Sequence, residues 1–178
     1  PKDTLLNFYA VMADVGLLID DVTATHRNDP GLFWDRQTKQ EMEEAEALFD
    51  AAVSALDGSS FPLGVRSYLK DEAAIQLKQA LDFIFYNSRQ IITIPDASGM
   101  KALNENRSRQ IQSWTLPGSA ITLSSQITDN PNSSDFYFSA STVANASNIY
   151  GQVQNQFANL EAKKFTTNTF YEDFIHTP

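Results

Sequence analysis

The chain has 178 residues, enough for one domain with a sizeable hydrophobic core. Its 13 basic and 22 acidic residues give a formal net charge of −9 at pH 7. That balance disfavours nucleic acids and anionic membrane surfaces as partners, because both are bound through clustered Lys and Arg. The chain contains no cysteine, which excludes disulfides and thiolate chemistry. No apolar run approaches the ~18–20 residues that a membrane-spanning helix needs.

The two ends of the chain have an unusual form for a whole protein. The sequence begins at Pro1 rather than Met and stops at the segment FIHTP. We therefore expect a fragment of a longer protein. No signal-peptide pattern is visible, but in a fragment this leaves the compartment of the parent protein open.

Three amphipathic helices are predicted in the first half of the chain. The first runs from Thr4 to about Val22, with Asp3 or Thr4 as its N-cap, and its stripe is Leu5, Phe8, Tyr9, Met12, Val15, Leu18, Ile19 and Val22. The second runs from about Gln37 to Leu56, ends at Gly58 in the left-handed conformation, and has the stripe Met42, Ala45, Leu48, Phe49, Ala52, Val53 and Leu56. The third runs from about Glu72 to Tyr86, with Ala74, Leu77, Lys78, Leu81, Ile84 and Phe85 at helical spacing.

The composition of the segments around these helices predicts turns, connectors and one short β-like run. HRNDPG, residues 26–31, has the residues of a turn. FPLGVRSYL, residues 61–69, reads as an apolar connector that docks on the core. QIITIPD, residues 90–96, is a short β-like run closed by Pro95, and SGMKALNENRS after it is a loop or a frayed helical turn.

The second half of the chain changes to strand periodicity. IQSWTL, AITLSSQI and DFYFSA read as strands, and TDNPNSS, residues 128–134, has turn chemistry between the last two. A helix from about Ala140 to Leu160 follows, capped by Ser139 or Ser141, and NTFYEDFI is a short apolar segment near the end. Because helices come first and strands are grouped later, the predicted class is α+β. We expect N-terminal helices packed with a small antiparallel sheet and followed by a long helix, as one domain over residues 1–178.

Candidate catalytic and metal-binding residues are few and poorly placed. His26 and His176 stand near opposite ends without a second ligand at metal-binding spacing, and we interpret them as exposed. The carboxylate pairs Asp20-Asp21, Glu43-Glu44 and Glu172-Asp173 are adjacent in sequence, so on a helix their side chains point about 100° apart. We interpret these pairs as solvated faces rather than as an acid–base pair converging on one bond.

Two further patterns invite a functional reading. Ser119 in PGSAI lacks the second glycine of a nucleophile elbow, and a serine in a turn is the better interpretation. Eight aromatic residues offer an apolar ligand pocket or, more simply, core: Tyr9, Phe83, Phe85, Tyr86, Trp114, Phe136, Tyr137 and Phe138. The residues themselves therefore predict no catalytic, cofactor-binding or metal-binding site.

The most patterned part of the chain, here called the cassette, is residues 113–153. It reads Trp, an aliphatic residue, Pro-Gly, a short strand, a turn, Phe-Ser, a Thr-Val pair and an aromatic near the next helical turn. This pattern resembles the N-terminal extracytoplasmic regions of mechanosensitive channels of the small-conductance family. The matching residues are Trp114, Leu116, Pro117, Gly118, Ile121, Phe138, Ser139, Thr142, Val143 and Tyr150.

The resemblance is weaker outside the cassette. PKDTLLNFYAVM looks like the opening of such regions, LKQALDFI and ITIPD like the stretch before the cassette, and TFYEDFIHTP like the end that precedes the first membrane helix. Two features depart from the family pattern. Ser119-Ala120 stand where a polar or acidic residue is expected, and the turn from Asp129 to Ser134 is rich in Asn and Ser rather than basic or rich in Gly.

The resemblance implies a periplasmic domain of an inner-membrane channel that opens under membrane tension. Its role would be regulatory, structural or ligand-sensing, without catalysis or cofactor. Its partners would be the channel portion of the same polypeptide and, in the ring that such channels form, further copies of itself. A ligand-binding sensor domain of a membrane receptor is the alternative, suggested by the long helices and aromatic interior. A hydrolase would need His26 or a carboxylate pair beside a nucleophile in a cleft.

Overall fold

A computed structural model describes residues 1–28, 35–87, 92–105, 112–125 and 135–157. These ranges contain six α-helices, a 3₁₀ turn at Leu63–Val65 that leads directly into α3, and a three-stranded antiparallel sheet. The class is therefore α+β, as the sequence predicts. The elements are α1 Lys2–Asn28, α2 Arg36–Val53, α3 Arg66–Asn87, α4 Ala97–Asn104, β1 Ser113–Thr115, β2 Thr122–Ser125, β3 Phe136–Phe138, α5 Ala140–Ala144 and α6 Ala146–Phe157.

Helix α1 is longer than predicted and begins differently. Its predicted apolar stripe is confirmed: every member lies in or against the core, with Tyr9 and Leu18 half-buried. The predicted cap at Asp3 or Thr4 is wrong, because the helix begins at Lys2 and both residues lie inside it. The Thr4 hydroxyl donates instead to the Phe136 carbonyl (2.9 Å). The HRNDPG turn is wrong for residues 26–28, which continue the helix, and residues 29–31 lie outside the described residues.

Helix α2 packs along α1, and α3 packs along α6. The N-cap of α2 is Asp35, whose carboxylate accepts from Thr38 N–H at 2.7 Å; this bond holds the pKa of Asp35 below its usual range. The prediction that a left-handed glycine at residue 58 ends α2 is wrong. Gly118 is the only described glycine with a positive φ, so Gly58 does not end the helix in the left-handed conformation. Gly58 is buried instead under the stems of Lys70 and Arg66.

Two connectors also differ from the prediction. Phe61 packs against the core, but Leu63, Val65 and Tyr68 are exposed, so the segment from residue 61 to 69 does not dock as a whole. Of the β-like run predicted at residues 90–96, residues 90 and 91 lie outside the described residues, and residues 92–96 are not a strand; Ile92 and Ile94 lie against the core. The segment after them, predicted as a loop or a frayed helical turn, forms helix α4, whose N-cap Asp96 accepts from Gly99 N–H at 2.8 Å.

The three predicted strands are confirmed and form a sheet of order β1-β2-β3. Leu123 is the centre of the sheet, paired with Trp114 on one side and Phe138 on the other. Phe138 also forms a parallel bridge with Leu56, so the outer side of β3 is joined to the segment that follows α2. The turn predicted at residues 128–134 lies outside the described residues.

The helix predicted from about Ala140 to Leu160 is present in two parts as far as Phe157, and residues 158–160 lie outside the described residues. Ser139 caps α5 by accepting from Thr142 N–H (3.2 Å), which confirms one of the two predicted caps. Asn145 ends α5, its N–H bonding the carbonyls of Ser141 and Thr142, and α6 begins at the next residue. The apolar stripe continues through the break, because Val143, Ala146, Ile149 and Val153 are all buried. Within the described residues, no helix is both long enough and apolar enough to cross a membrane.

The Leu116–Ser119 corner, between β1 and β2, has the features of a type II β-turn. Ser119 N–H donates to Leu116 O (3.1 Å), Pro117 holds the second position, and Gly118 in the third has φ of +76°. A side chain at this φ is strained, although an added Cβ would meet no atom within 4 Å. The glycine is therefore required by backbone conformation rather than by space.

Gly118→Ala is expected to lower the free energy of unfolding by about 1–2 kcal/mol, the cost of a left-handed alanine. Urea denaturation monitored by circular dichroism measures it. Gly64→Ala is the matched control, because an added Cβ there also meets nothing within 4 Å and its φ is not positive. That variant should be neutral or stabilised by up to about 1 kcal/mol. Equal losses in both variants would contradict the assignment.

Candidate functional site

The hydroxyl groups of Ser139 and Thr142 form the polar centre of the cassette. Thr142 Oγ1 accepts from Thr122 N–H (2.9 Å) and lies 3.2 Å from Thr122 O, its acceptor. Ser139 Oγ donates to Thr142 Oγ1 at 3.0 Å, and Ser139 N–H donates to Thr122 O at 2.9 Å. Both side chains are buried, so these bonds fasten the start of α5 to the backbone of β2.

This polar centre explains the Phe-Ser and Thr-Val parts of the cassette pattern. Phe138 and Val143 are 0% and 1% exposed, and they enter the core on either side of the two hydroxyls. A buried hydroxyl without partners would destabilise the fold, and here each hydroxyl accepts from a backbone N–H group. The two polar residues therefore hold a sheet–helix junction together and leave no hydroxyl directed at a substrate.

Ser119, considered as a nucleophile in the sequence, is also used by the backbone. Its hydroxyl donates to Leu116 O (2.9 Å) and accepts from Ile121 N–H (3.1 Å). Both bonds lie within the turn before β2, and they complete the loop that the Leu116 N–H to Ile121 O bond closes at 2.8 Å. The serine holds the turn, as its interpretation from sequence predicts.

The ionisable candidates from the sequence are not brought together. Asp20 and Asp21 are exposed on α1, and the pair Glu43-Glu44 is exposed on α2. His26 belongs to α1, while His176 and the pair Glu172-Asp173 lie outside the described residues. Among the described residues, no group of three His, Asp or Glu side chains is placed to hold a metal ion.

The eight aromatic candidates do not line one pocket. Phe138 meets Phe8 edge-to-face in the core (ring centroids 4.8 Å apart), and Tyr9 meets Phe85 in the same way at 5.0 Å. Tyr86 is exposed and Trp114 is half-buried against the core. Phe136 and Tyr137 line a cleft of about 300 Å³, together with Pro1, Asp3, Thr4, Ser54, Ala55, Ala97 and Asp135. Most of the aromatic residues are therefore core.

A largely buried ion pair within α3, contacted by Tyr9 of α1, was not identified from the sequence. Lys78 Nζ lies 2.6 and 2.8 Å from the two carboxylate oxygens of Asp82, and their side chains are only 12% and 13% exposed. Tyr9 donates its phenol proton to Asp82 Oδ1 at 2.7 Å, and Lys78 Nζ lies 4.6 Å from the centre of the Tyr9 ring. Two features of the sequence could have predicted this ion pair: Lys78 lies in an apolar helical stripe, and Asp82 follows it four residues later.

Burial and the neighbouring Asp82 change the acidity of Tyr9. Burial raises the pKa of the Tyr9 phenol above its usual range, and the hydrogen bond to Asp82 and the negative charge of Asp82 raise it further. The phenol therefore stays protonated and keeps donating to Asp82. Removing one partner of a buried charge lowers the stability of the fold. We therefore interpret Tyr9, Lys78 and Asp82 as a polar cluster that fixes α1 to α3, and we call it the clamp.

The exposed apolar residues define a candidate interaction surface. Leu63 is 82% exposed, Tyr68 63% and Val65 48%. The three follow one another in the 3₁₀ turn and the first turn of α3, and we call them the apolar tip. An exposed apolar group of this kind is typical of a contact with another molecule.

Comparison of the chain with protein-family models, with curated proteins and with solved structures finds no match in any of the three. Function is therefore argued from the residues and their contacts.

Thr142→Val keeps the shape of the side chain and removes its hydroxyl. Thr122 N–H and the Ser139 hydroxyl lose their partner in a buried setting, so we expect a loss of about 1–3 kcal/mol in the free energy of unfolding. Thr142→Ser retains the hydroxyl and should recover most of the loss. Chemical denaturation of the three proteins tests this, and a Thr142→Ser variant as unstable as Thr142→Val would show that the methyl group matters instead.

Tyr9→Phe removes the phenol that donates to Asp82 and is expected to cost about 1–2 kcal/mol at neutral pH. Because the folded-state pKa of Tyr9 is raised, its contribution is fully present below the ordinary tyrosine pKa of about 10. It is lost as the pH rises above that value, since the unfolded chain then releases a proton that the folded chain retains.

The measurement is urea denaturation of wild-type chain and Tyr9→Phe at pH 7 and about pH 11. The stability difference between them should shrink at the higher pH. Tyr68→Phe, at a tyrosine that is 63% exposed, is the control and should show little difference at either pH. A difference for Tyr9→Phe that is constant with pH would contradict the assignment.

Proposed function

We propose that this chain is a non-catalytic periplasmic domain of a mechanosensitive channel of the small-conductance family, attached to an inner-membrane channel and acting on its gating or assembly through protein contacts. The observation that carries the proposal is the cassette. Its resemblance to that family rests on ten residues of one strand–turn–strand–helix unit.

The residues of the pattern have separate structural tasks, and this gives the resemblance its weight. Leu116 and Ile121 are fully buried at the two sides of the turn, while Pro117 and Gly118 set its backbone conformation. Ser139 caps α5 at the other end of the unit. A pattern made of such tasks is a requirement of the fold, so a chain that matches it is expected to share the fold of the regions it resembles.

The contacts of the hydroxyl groups favour a role in binding over a role in chemistry. The hydroxyls of Ser119, Ser139 and Thr142 are each hydrogen-bonded within the cassette. The exposed features are of another kind: acidic helix faces on α1 and α2, and the apolar tip. Such surfaces suit contacts with the channel portion of the same polypeptide and with neighbouring copies of the domain.

The cleft beside β3 favours a second candidate, a ligand-binding sensor domain of a membrane receptor. Its volume of about 300 Å³ is at the lower limit of small-molecule sites. Asp3, Asp135, Thr4 and Tyr137 supply polar groups to its wall, and Phe136 supplies an apolar one. Thermal-shift measurements with amino acids, sugars and organic acids test this candidate, and a flat profile across the set would remove it.

The reading frame that encodes this chain tests the proposed function directly. Downstream of Pro178 we expect several apolar stretches of about 20 residues, one of them rich in Gly and Ala as in a pore-lining helix. The full-length protein, expressed in a bacterium lacking its own mechanosensitive channels, should give tension-activated currents in membrane patches. A stop codon, or a soluble catalytic domain, directly after this chain would refute the proposal.

A further inference from the structure

We propose that the outer edge of β1 pairs with the same edge of a second copy of this chain, so that two three-stranded sheets become one continuous sheet. This inference goes beyond the proposed function and does not depend on it. It rests on the free backbone groups of β1, on the position of Trp114 and on the absence of charge from the sheet.

The two edges of the sheet differ. At the β3 edge, Phe138 N–H donates to Ala55 O (2.9 Å). Phe138 O accepts from Asp57 N–H (3.0 Å), so the segment that follows α2 covers this edge. At the other edge, no strand of the described ranges lies beside β1, and Ser113 and Thr115 are both exposed. The sheet is therefore covered on one side and open on the other.

The hydrogen bonds between β1 and β2 mark the backbone groups that the sheet already uses. Ser125 N–H donates to Gln112 O at 2.7 Å. Leu116 N–H donates to Ile121 O at 2.8 Å. Residues 112 and 116 of the first strand therefore turn these groups toward the second strand, and they fix the alternation of all the groups between them.

The alternation leaves two residues of β1 with outward groups. Trp114, paired with Leu123, turns its N–H and C=O toward β2 like residues 112 and 116. Ser113 and Thr115 turn theirs away from β2, toward the open side. A row of alternating donors and acceptors at strand spacing is matched by another extended backbone, which pairs all of the groups in series.

A second copy of β1 fits this edge when it runs antiparallel, with Trp114 of one copy opposite Trp114 of the other. Ser113 of each copy then faces Thr115 of the other, and each of these pairs exchanges both of its backbone hydrogen bonds. Every outward group of one strand thus finds a partner on the second. This self-complementarity is the property that a two-fold dimer requires of its interface.

The side chain of Trp114 lies at the centre of the pairing. Directly paired residues point to the same face of a sheet, and Leu123 is 0% exposed, so Trp114 points to the core side. Trp114 is only half-buried there, although it packs against the core. In the dimer the two indoles stand in a pair whose Cα atoms are about 4.5 Å apart. Their contact covers aromatic surface that the single chain leaves in water.

The distribution of charge makes the sheet a suitable meeting place for two acidic chains. Each copy carries a net charge of −9, but β1, β2 and β3 contain no charged residue, and the sequence has none between Arg109 and Asp129. Asp135, next to β3, is two strands from the β1 edge, which is about 10 Å or more. At physiological salt, charges further apart than about 8 Å are largely screened. The strand also lacks the lysine or proline that commonly protects an edge.

Sedimentation equilibrium of the 178-residue chain from about 10 µM to 1 mM tests the inference. Because β1 has three residues, the contact is short, and wild-type chain should pass from monomer to dimer only within this range. Ser113→Lys with Thr115→Lys places like charges opposite each other and should weaken dimerisation at least about tenfold. Ala47→Lys with Ala51→Lys, at exposed positions of α2, adds the same charge elsewhere and should stay within about twofold of wild type.

A charge exchange separates weakened pairing from a failure to fold. Ser113→Glu with Thr115→Glu should also weaken dimerisation, because carboxylates then face each other. A mixture of the lysine chain and the glutamate chain places opposite charges across the edge and should associate at least about tenfold more strongly than either chain alone. A variant that does not fold cannot give this recovery.

Disulfide cross-linking reports the register of the two strands. The chain has no cysteine of its own. A mixture of Ser113→Cys and Thr115→Cys chains should cross-link on oxidation, because the Cα atoms of a bonded pair are about 5.5 Å apart. Either variant alone holds its two thiols on a diagonal of about 7–8 Å and should cross-link several-fold more slowly.

Four results would overturn the inference. They are a chain that stays monomeric over the whole range, dimerisation that the lysine pair leaves unchanged, folded lysine and glutamate chains that do not associate when mixed, and cross-linking that is as fast in each cysteine variant alone as in the mixture. None of them bears on the reading frame downstream of Pro178, so this inference and the proposed function fail separately.

Discussion

The fold depends on the burial of Phe138, where the helical layer and the sheet meet. Its ring lies edge-to-face on Phe8 of α1, with the centroids 4.8 Å apart. Its backbone donates to Ala55 O and accepts from Asp57 N–H, so the segment that follows α2 extends the sheet by one bridge. One residue therefore joins α1, the segment that follows α2 and β2. A side chain of this size, fully buried, contributes about 1.5–3 kcal/mol.

The polar residues of the cassette follow from that burial. Ser139 comes directly after Phe138, at the point where β3 ends and the backbone must enter a helix inside the core. Its hydroxyl and that of Thr142 provide partners for backbone groups that neither strand nor helix pairs. The clamp between α1 and α3 obeys the same rule, since the carboxylate of Asp82 is accompanied by both Lys78 and the phenol of Tyr9. In both places, buried polar groups fix two elements to each other.

The parts of the fold that could be predicted from the sequence are those set by local patterns. The stripe of α1, the three strands and the cap at Ser139 depend on periodicity and on short-range hydrogen bonds. The errors arose where the outcome depends on a distant partner. The run containing Ile92 and Ile94 has strand-like residues but no neighbouring strand to pair with among the described residues. Lys78 and Asp82 have helical spacing, but only the approach of Tyr9 from α1 makes their pair a buried clamp.

The hydroxyl groups of the cassette and the apolar tip differ in how available they are for binding. A hydroxyl with its hydrogen bonds already made gains little by turning to a substrate, so the most patterned residues of the chain are the least available for binding. The apolar tip differs, because it is available for binding. Phe61 anchors the turn, and Leu63 stays exposed to water, so folding does not remove the free-energy cost of hydrating its apolar surface. The sequence alone does not distinguish a buried apolar segment from an exposed one, since the residues Leu63, Gly64 and Val65 are the same whether or not other residues cover them. Exposure in the folded chain makes the distinction, and it directs the search for partners away from the hydroxyl groups of the cassette and toward the open edge of β1 and the start of α3.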